Sequence, residues 1–232
     1  MDVSNNGTYL INLMVRLSLN EIDSSVKKAA RGVGMTWGLA EEAGNSARWL
    51  AQHGILEIST LVSVLSMHDN KRDWVGISAN ACLTNTSNAC LISPFVLGSF
   101  ITDLGRDLIA VFSQREFRVL APILIVPFLS RLAQTYELTL ALDWQFCRVF
   151  FVGGSVSVDG DKRDLLISEP IVISITVAKA TASSWPTKLR SGMILTNEND
   201  WIKIGEFGYR TYVPASSKSR QFGAGAGTDD ND

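Results

Sequence analysis

The sequence predicts an α+β fold with a helical N-terminal part, an antiparallel β-rich middle and a helical C-terminal return. Three observations predict it. From Ser18 to Gly54, apolar residues recur at intervals of three and four. From Tyr136 to Val177, the pattern changes to alternation by twos. Near the end, Trp201, Ile204 and Phe207 restore helical spacing after Asn199 and Asp200. On this reading residues 15–222 form a single domain: helical over 15–68, mixed over 69–135, β-rich over 136–180 and helical over 181–222. Residues 1–14 form an N-terminal extension, and residues 223–232 a tail of glycine, alanine and aspartate.

The first helix opens at Ser18, followed three residues later by Glu21. This is the spacing at which hydroxyl and carboxylate cap each other's backbone N–H groups. Leu19, Ile22, Val26, Ala29, Ala30 and Val33 define its apolar stripe, and Gly32 and Gly34 end it. Thr36 caps a second helix that buries Leu39, Ala43, Ala47, Leu50 and Ala51 and stops at Gly54. Gly34, Gly38 and Gly44 carry no side chain, so another backbone or a ligand can approach there. Ile58, Leu61, Val62 and Leu65 mark a third helix ending near Met67. Residues 74–77 read as a short strand, and residues 80–88 as loop.

Ser93 before Pro94 starts a helix, since proline's missing N–H costs nothing in a first turn. Gly105 ends it. Residues 108–112 read as strand, and residues 122–134 as helix, with Pro127 implying a kink or a later start. Residues 138–142 and 149–152 read as strands, and Gly153-Gly154 turns the chain. Asp159-Gly160 reads as a second hairpin turn, between strands at 155–158 and 164–167. Ile171, Ile173, Ile175 and Val177 form one face of a long strand, in a sheet covered on one side. Pro214 opens a final short helix through Arg220.

A chain of 232 residues can bury a sizeable core. Its formal net charge of −2 argues against an extended nucleic-acid surface. The most apolar run, residues 119–129, is well short of the ~20 residues that a membrane-spanning helix needs. Residues 1–13 carry an apolar patch at 9–13 but lack the basic region and the long apolar region of a signal peptide, and Met14 is a candidate start. Cys82, Cys90 and Cys147 form neither an even framework nor a CxxC, which points to free thiols in a reducing compartment. The expected protein is soluble and cytoplasmic, with no membrane or nucleic-acid partner. A homo-oligomer is left open.

Candidate functional side chains concentrate at the first two helices. Glu41 and Glu42 are candidates for acid/base work or for pairing with a cationic group, with Trp37 as an aromatic wall. Adjacent helical residues project about 100° apart, so these two form no obvious dyad. The plainer reading is a solvated carboxylate near a helix start and a packed tryptophan. Arg31 and Arg48 are candidates for receiving an anion. Arg210, Tyr212, Ser216 and Arg220 combine cationic, aromatic and hydroxyl groups around Pro214 and suit an anion or carboxylate. A solvated helix hairpin accounts for them equally well. The cysteines read as small buried hydrophobes, and neither His53 nor His68 lies in a triad-like motif. No spacing supplies a metal site, and the identity of any cofactor is left open. The run GAGAG at residues 223–227 follows no strand and opens no helix, so it is no dinucleotide fingerprint.

The run NEIDSSVKKAARGVGMTWGLAEEAGNSARWLA resembles the N-terminus of an uncharacterised bacterial family, a domain of unknown function. The stretch SPFVLGSFITD and the ending RTYVPASSKSRQFGAGAGTDDND fit the same family, so the resemblance runs from about Met14 onward. It implies no reaction, cofactor or catalytic residue. It does imply that the ending is at least partly ordered against the body of the protein. Two functions remain open. One is binding of a small anionic metabolite, with or without catalysis. The other is a non-catalytic subunit of a metabolic assembly, resting on the apolar run at 119–129.

Overall fold

The computed structural model describes residues 14–69, 91–107, 112, 115–177 and 194–212. The expectations for a strand at 74–77, a loop at 80–88, a connection at 184–192, a helix opening at Pro214 and the tail at 223–232 lie outside these residues. So does the expected strand at 108–112, apart from Phe112, which is buried and helical rather than extended.

The fold is α+β, with helices towards both ends and strands between. The N-terminal helices are α1 (Leu19–Gly32), α2 (Trp37–Gln52) and α3 (Ile58–His68). Ser18 and Glu21 form the expected reciprocal cap: the Ser18 N–H donates to the carboxylate at 2.7 Å, and the Glu21 N–H donates to the Ser18 hydroxyl at 3.2 Å. Hydrogen bonding to Ser18, side chain first and backbone second, holds the Glu21 carboxyl below its ordinary pKa. Thr36 caps α2 through its side chain, which accepts from the Leu39 N–H.

α4 (Pro94–Leu104) begins at Pro94 and ends at Gly105, which takes φ +55. The run at 119–129 belongs to the core. It finishes β3 (Glu116–Leu120), makes a 3-10 turn over Pro122–Ile125 and starts α5 (Val126–Tyr136). Its side chains are almost wholly buried, so it offers no docking face to a partner. Pro127 sits in the first turn of α5, so the α-helix starts later than Pro122 rather than kinking.

The main sheet is mixed. Its order is β2-β3-β7-β4-β5-β6, with β2 (Leu91–Ile92), β4 (Thr139–Trp144), β5 (Cys147–Val152), β6 (Ser155–Asp159) and β7 (Pro170–Val177) joining β3. Every pairing is antiparallel except β2 with β3, which is parallel and corrects the all-antiparallel expectation. Residues 164–167 do not pair. Lys162–Leu165 is a one-turn helix, α6, and Trp144 donates its indole N–H to the Asp164 carbonyl at 2.8 Å. Leu165 is buried, so the apolar pair Leu165-Leu166 serves packing here rather than a strand.

A second, two-stranded ribbon joins distant parts of the chain. β1 (Met14–Leu17) pairs antiparallel with β8 (Ile194–Asn197), which leads into α7 (Glu198–Tyr209). α7 then packs along α1. α5 packs on α2 and on β4 and β5, α4 packs on α2 and α5, and one hydrophobic core runs through the helices and the sheet.

The packing of α1 explains two of its glycine contacts. A Cβ at residue 32 would lie 1.7 Å from the Phe207 carbonyl oxygen, and one at residue 44 would lie 2.9 Å from the Asp23 carbonyl oxygen. Gly38, inside α2, has nothing within 4 Å of such an atom among the described residues. The substitution Gly32→Ala is therefore expected to destabilise by about 3 kcal/mol, because backbone must move to admit the methyl. Gly38→Ala is expected to stabilise by roughly 0.5–1 kcal/mol through helix propensity. Urea unfolding of the two variants checks the opposite signs.

Candidate functional site

Strand alternation assigns each face of the sheet. Phe117, Ile173, Ile175, Leu140, Leu142, Trp144, Cys147, Val149 and Phe151 point into the core. The opposite phase is mostly exposed, and one register line on it is polar from end to end. Glu116 pairs with Ser174, Ser174 with Asp143, Asp143 with Arg148, and Arg148 with Asp159. These five residues therefore form a row across β3, β7, β4, β5 and β6. Neighbouring strands lie about 4.8 Å apart, so the row is about 19 Å long.

The row floors a recess of about 490 Å³. Asp143 and Arg148 form an ion pair in its middle, and the Arg148 guanidinium lies 5.8 Å from the Phe150 ring centroid. Glu116 and Asp159 carry no ion pair among the described residues. The β4–β5 turn borders the recess. Gln145 takes φ 43, a left-handed conformation that favours glycine, and Phe146 beside it is 75% exposed. A second recess of about 460 Å³, bordered by Ile167, Glu169 and Pro170, shares Gln145 and Val172 with the first.

The residues singled out from the sequence divide between two places. Arg31, Trp37, Arg210 and Tyr212 belong to the α1–α7 seam and its adjoining turn. Arg31 donates to the Met35 carbonyl and lies 4.6 Å from the Trp37 ring centroid. Trp37 is exposed, so it is not the packed tryptophan of the plainer reading. Arg210 pairs with Asp69 and lies over Phe207, while Tyr212 faces Lys28, whose ammonium is 3.5 Å from its hydroxyl. Arg48 is elsewhere, donating to the Asn20 side chain at 2.5 Å. Glu42 pairs with Arg131 at 2.6 Å and so joins α2 to α5, and Glu41 is exposed. Ser216 and Arg220 lie outside the described residues, as do Cys82 and Cys90.

Sequence reasoning missed the polar row. Its members are spread from residue 116 to residue 174, and only the register brings them together. The one local signal was Asp143 and Arg148, charged residues on the outward phase of two strands otherwise rich in apolar side chains. Also unforeseen is a buried hydrogen bond between the His68 Nε2 and the Ser93 hydroxyl, 2.6 Å apart, which joins the end of α3 to the start of α4. Among the described residues no group of three or more His, Cys, Asp or Glu is placed to hold a metal ion. Among the same residues no helix is long and apolar enough to cross a membrane.

The fold and recess define a mixed-sheet α+β protein with a polar concavity on the sheet face turned away from the helices. Residues 17–89 match a family described as a protein of unknown function (DUF3726). This matched segment holds α1, α2 and α3, whereas the sheet and its recess lie beyond it. No curated protein and no solved structure matches the chain.

Cys147 adjoins the recess but turns its side chain into the core. Burial, reinforced by the negative charges of Asp164, Asp159 and Asp143, pushes its thiol up to about 12. Iodoacetamide at pH 8 should leave Cys147 unlabelled in the native protein and label it after denaturation, as read by peptide mass spectrometry. The raised value also sets a sign. As pH rises above the ordinary thiol range, the unfolded chain loses this proton first. Stability relative to a Cys147→Ala variant should therefore fall from about pH 9 and level off near 12.

Proposed function

We propose that this protein binds a polar small molecule in the recess on the exposed face of its sheet. The observation that carries the reading is the row from Glu116 to Asp159, whose five polar side chains come from five strands and open onto one concavity. The recess has the volume of ordinary ligand sites, which use a few placed polar groups to fix orientation. Three carboxylates against one guanidinium disfavour an anion at this place. A metabolite-library thermal-shift screen tests the reading. A ligand at 100 times its Kd stabilises the fold by ~2.7 kcal/mol. The double variant Asp143→Ala/Arg148→Ala should lose that response. Its ligand-free stability should stay within about 1 kcal/mol of the parent, since a surface ion pair contributes no more than that. A full response in the variant would place the site elsewhere.

The second reading keeps the anionic metabolite and puts it at the α1–α7 seam. One observation favours it. Lys28 and Arg31 lie one turn apart on α1, each beside an exposed aromatic ring, Tyr212 and Trp37 respectively. Lys28→Ala/Arg31→Ala should then abolish stabilisation by the anionic members of the library and spare the rest. An unchanged anion response in that variant removes this reading.

A further inference from the structure

We infer that the ligand of the recess is a neutral, hydroxyl-rich molecule, a saccharide or related polyol. The inference rests on the recess being the binding site and concerns what fills it. It is carried by the order of groups along the row. Glu116 accepts hydrogen bonds, Ser174 donates and accepts, Asp143 accepts, Arg148 donates and Asp159 accepts. The character of the floor therefore changes at every strand, about 4.8 Å apart.

Each ligand class meets this alternation differently. An anion faces three carboxylates. An extended organic cation satisfies Glu116 and Asp159 but must cross Arg148, which lies between Asp143 and Asp159. A hydroxyl both donates and accepts, so a chain or ring of hydroxyls can satisfy each neighbour in turn without opposing any.

The central donor is also held in place. Arg148 is hydrogen-bonded to Asp143 and rests over the Phe150 ring, which is itself buried. A fixed donor beside a fixed acceptor offers a pair of adjacent hydroxyls two partners at no further ordering cost. Among the described residues, Glu116 and Asp159 leave acceptor capacity open at either end. Phe146 adds the apolar element. It is 75% exposed at the rim, on a turn whose first residue takes a left-handed conformation. A sugar ring presents a face of C–H groups as well as an edge of hydroxyls, and an aromatic side chain beside polar anchors accommodates both.

The experiment uses the full chain, isotopically labelled, and reads amide shifts as probes are added. The probes are a panel of neutral mono- and disaccharides, with spermidine as the cationic control and citrate as the anionic one. Saturable shifts at Gln145, Phe146 and Arg148 with at least one saccharide, and with neither control, support the inference. Phe146→Ala should then weaken that saccharide roughly tenfold. The parent spectrum should otherwise persist, because this side chain packs little. Shifts at these residues with spermidine or citrate and with no saccharide would overturn the inference while leaving the recess as a binding site. Silence from the whole saccharide panel would overturn it too. The recess itself is judged separately, by the metabolite screen on the Asp143→Ala/Arg148→Ala variant.

Discussion

The register of β7 is the constraint on which the sheet depends. This strand is the last of the six in sequence, yet it pairs with β3 on one side and β4 on the other. β3 and the β4–β5–β6 meander have no direct pairing, so β7 closes the gap between them. Its alternation sends Ile173 and Ile175 into the core and leaves Ser174 and Thr176 on the opposite face. A slip of one residue would reverse that assignment and expose the isoleucines. The same register sets Ser174 opposite both Glu116 and Asp143. The burial pattern that fixes the fold thus also composes the polar row, and no separate device is needed to align it.

At the other end of the molecule the controlling feature is close helix approach. α1 is in contact with α2 at Gly44 and with α7 at Gly32, and in both places carbonyl oxygen lies where a side chain would begin. Glycines in this region read from sequence as openings for either a ligand or a backbone. For Gly44 the answer is a neighbouring helix, whereas Gly34 and Gly38 have nothing nearby among the described residues. Gly32, which the sequence marked only as a helix stop, makes the tightest approach. A helix stop needs only local geometry, and a helix crossing depends on where α7 returns.

Local signals carried much of the fold. The Ser18–Glu21 cap, the Ser93-Pro94 start, the Gly105 stop and the Gly153-Gly154 turn each satisfy a nearby backbone requirement, and each appears where the residues placed it. The alternation over residues 171–177 was equally legible, because one buried face imposes period two. What escaped was nonlocal or very short. β2 has two residues, too few for any periodicity, and its parallel pairing with β3 leaves no trace in either segment. β1 and β8 lie about 180 residues apart in the chain and mark themselves only by pairing. The turn at Gln145-Phe146 lacks the glycine or asparagine that usually announces a two-residue hairpin. The candidate site shares this fate. Sequence proximity drew attention to Arg31, Trp37, Glu41, Glu42 and Arg48, but the structure divides these among the α1–α7 seam, the α2–α5 junction and the start of α1.

The net charge of −2 conceals a segregation that matters for recognition. The recess gathers Glu116, Asp143 and Asp159 about Arg148, while the helical seam carries Lys28 beside Tyr212, Arg31 beside Trp37 and Arg210 paired with Asp69. The two surfaces lie on different elements, and exposed charges separated by more than about 8 Å in physiological salt scarcely influence one another. The local charge of each surface is therefore set by its own groups, and the whole-chain balance describes neither. The two also differ in form. At the seam each arginine already has a protein partner, and the aromatic rings stand exposed beside the cations, which is the arrangement of a solvated surface as much as of a site. On the sheet the ion pair occupies the centre of a concavity whose outer acceptors, Glu116 and Asp159, carry no ion pair among the described residues. Concavity and open hydrogen-bonding capacity together let a small molecule replace water on several sides at once, and that is the physical reason to look for the ligand on the sheet.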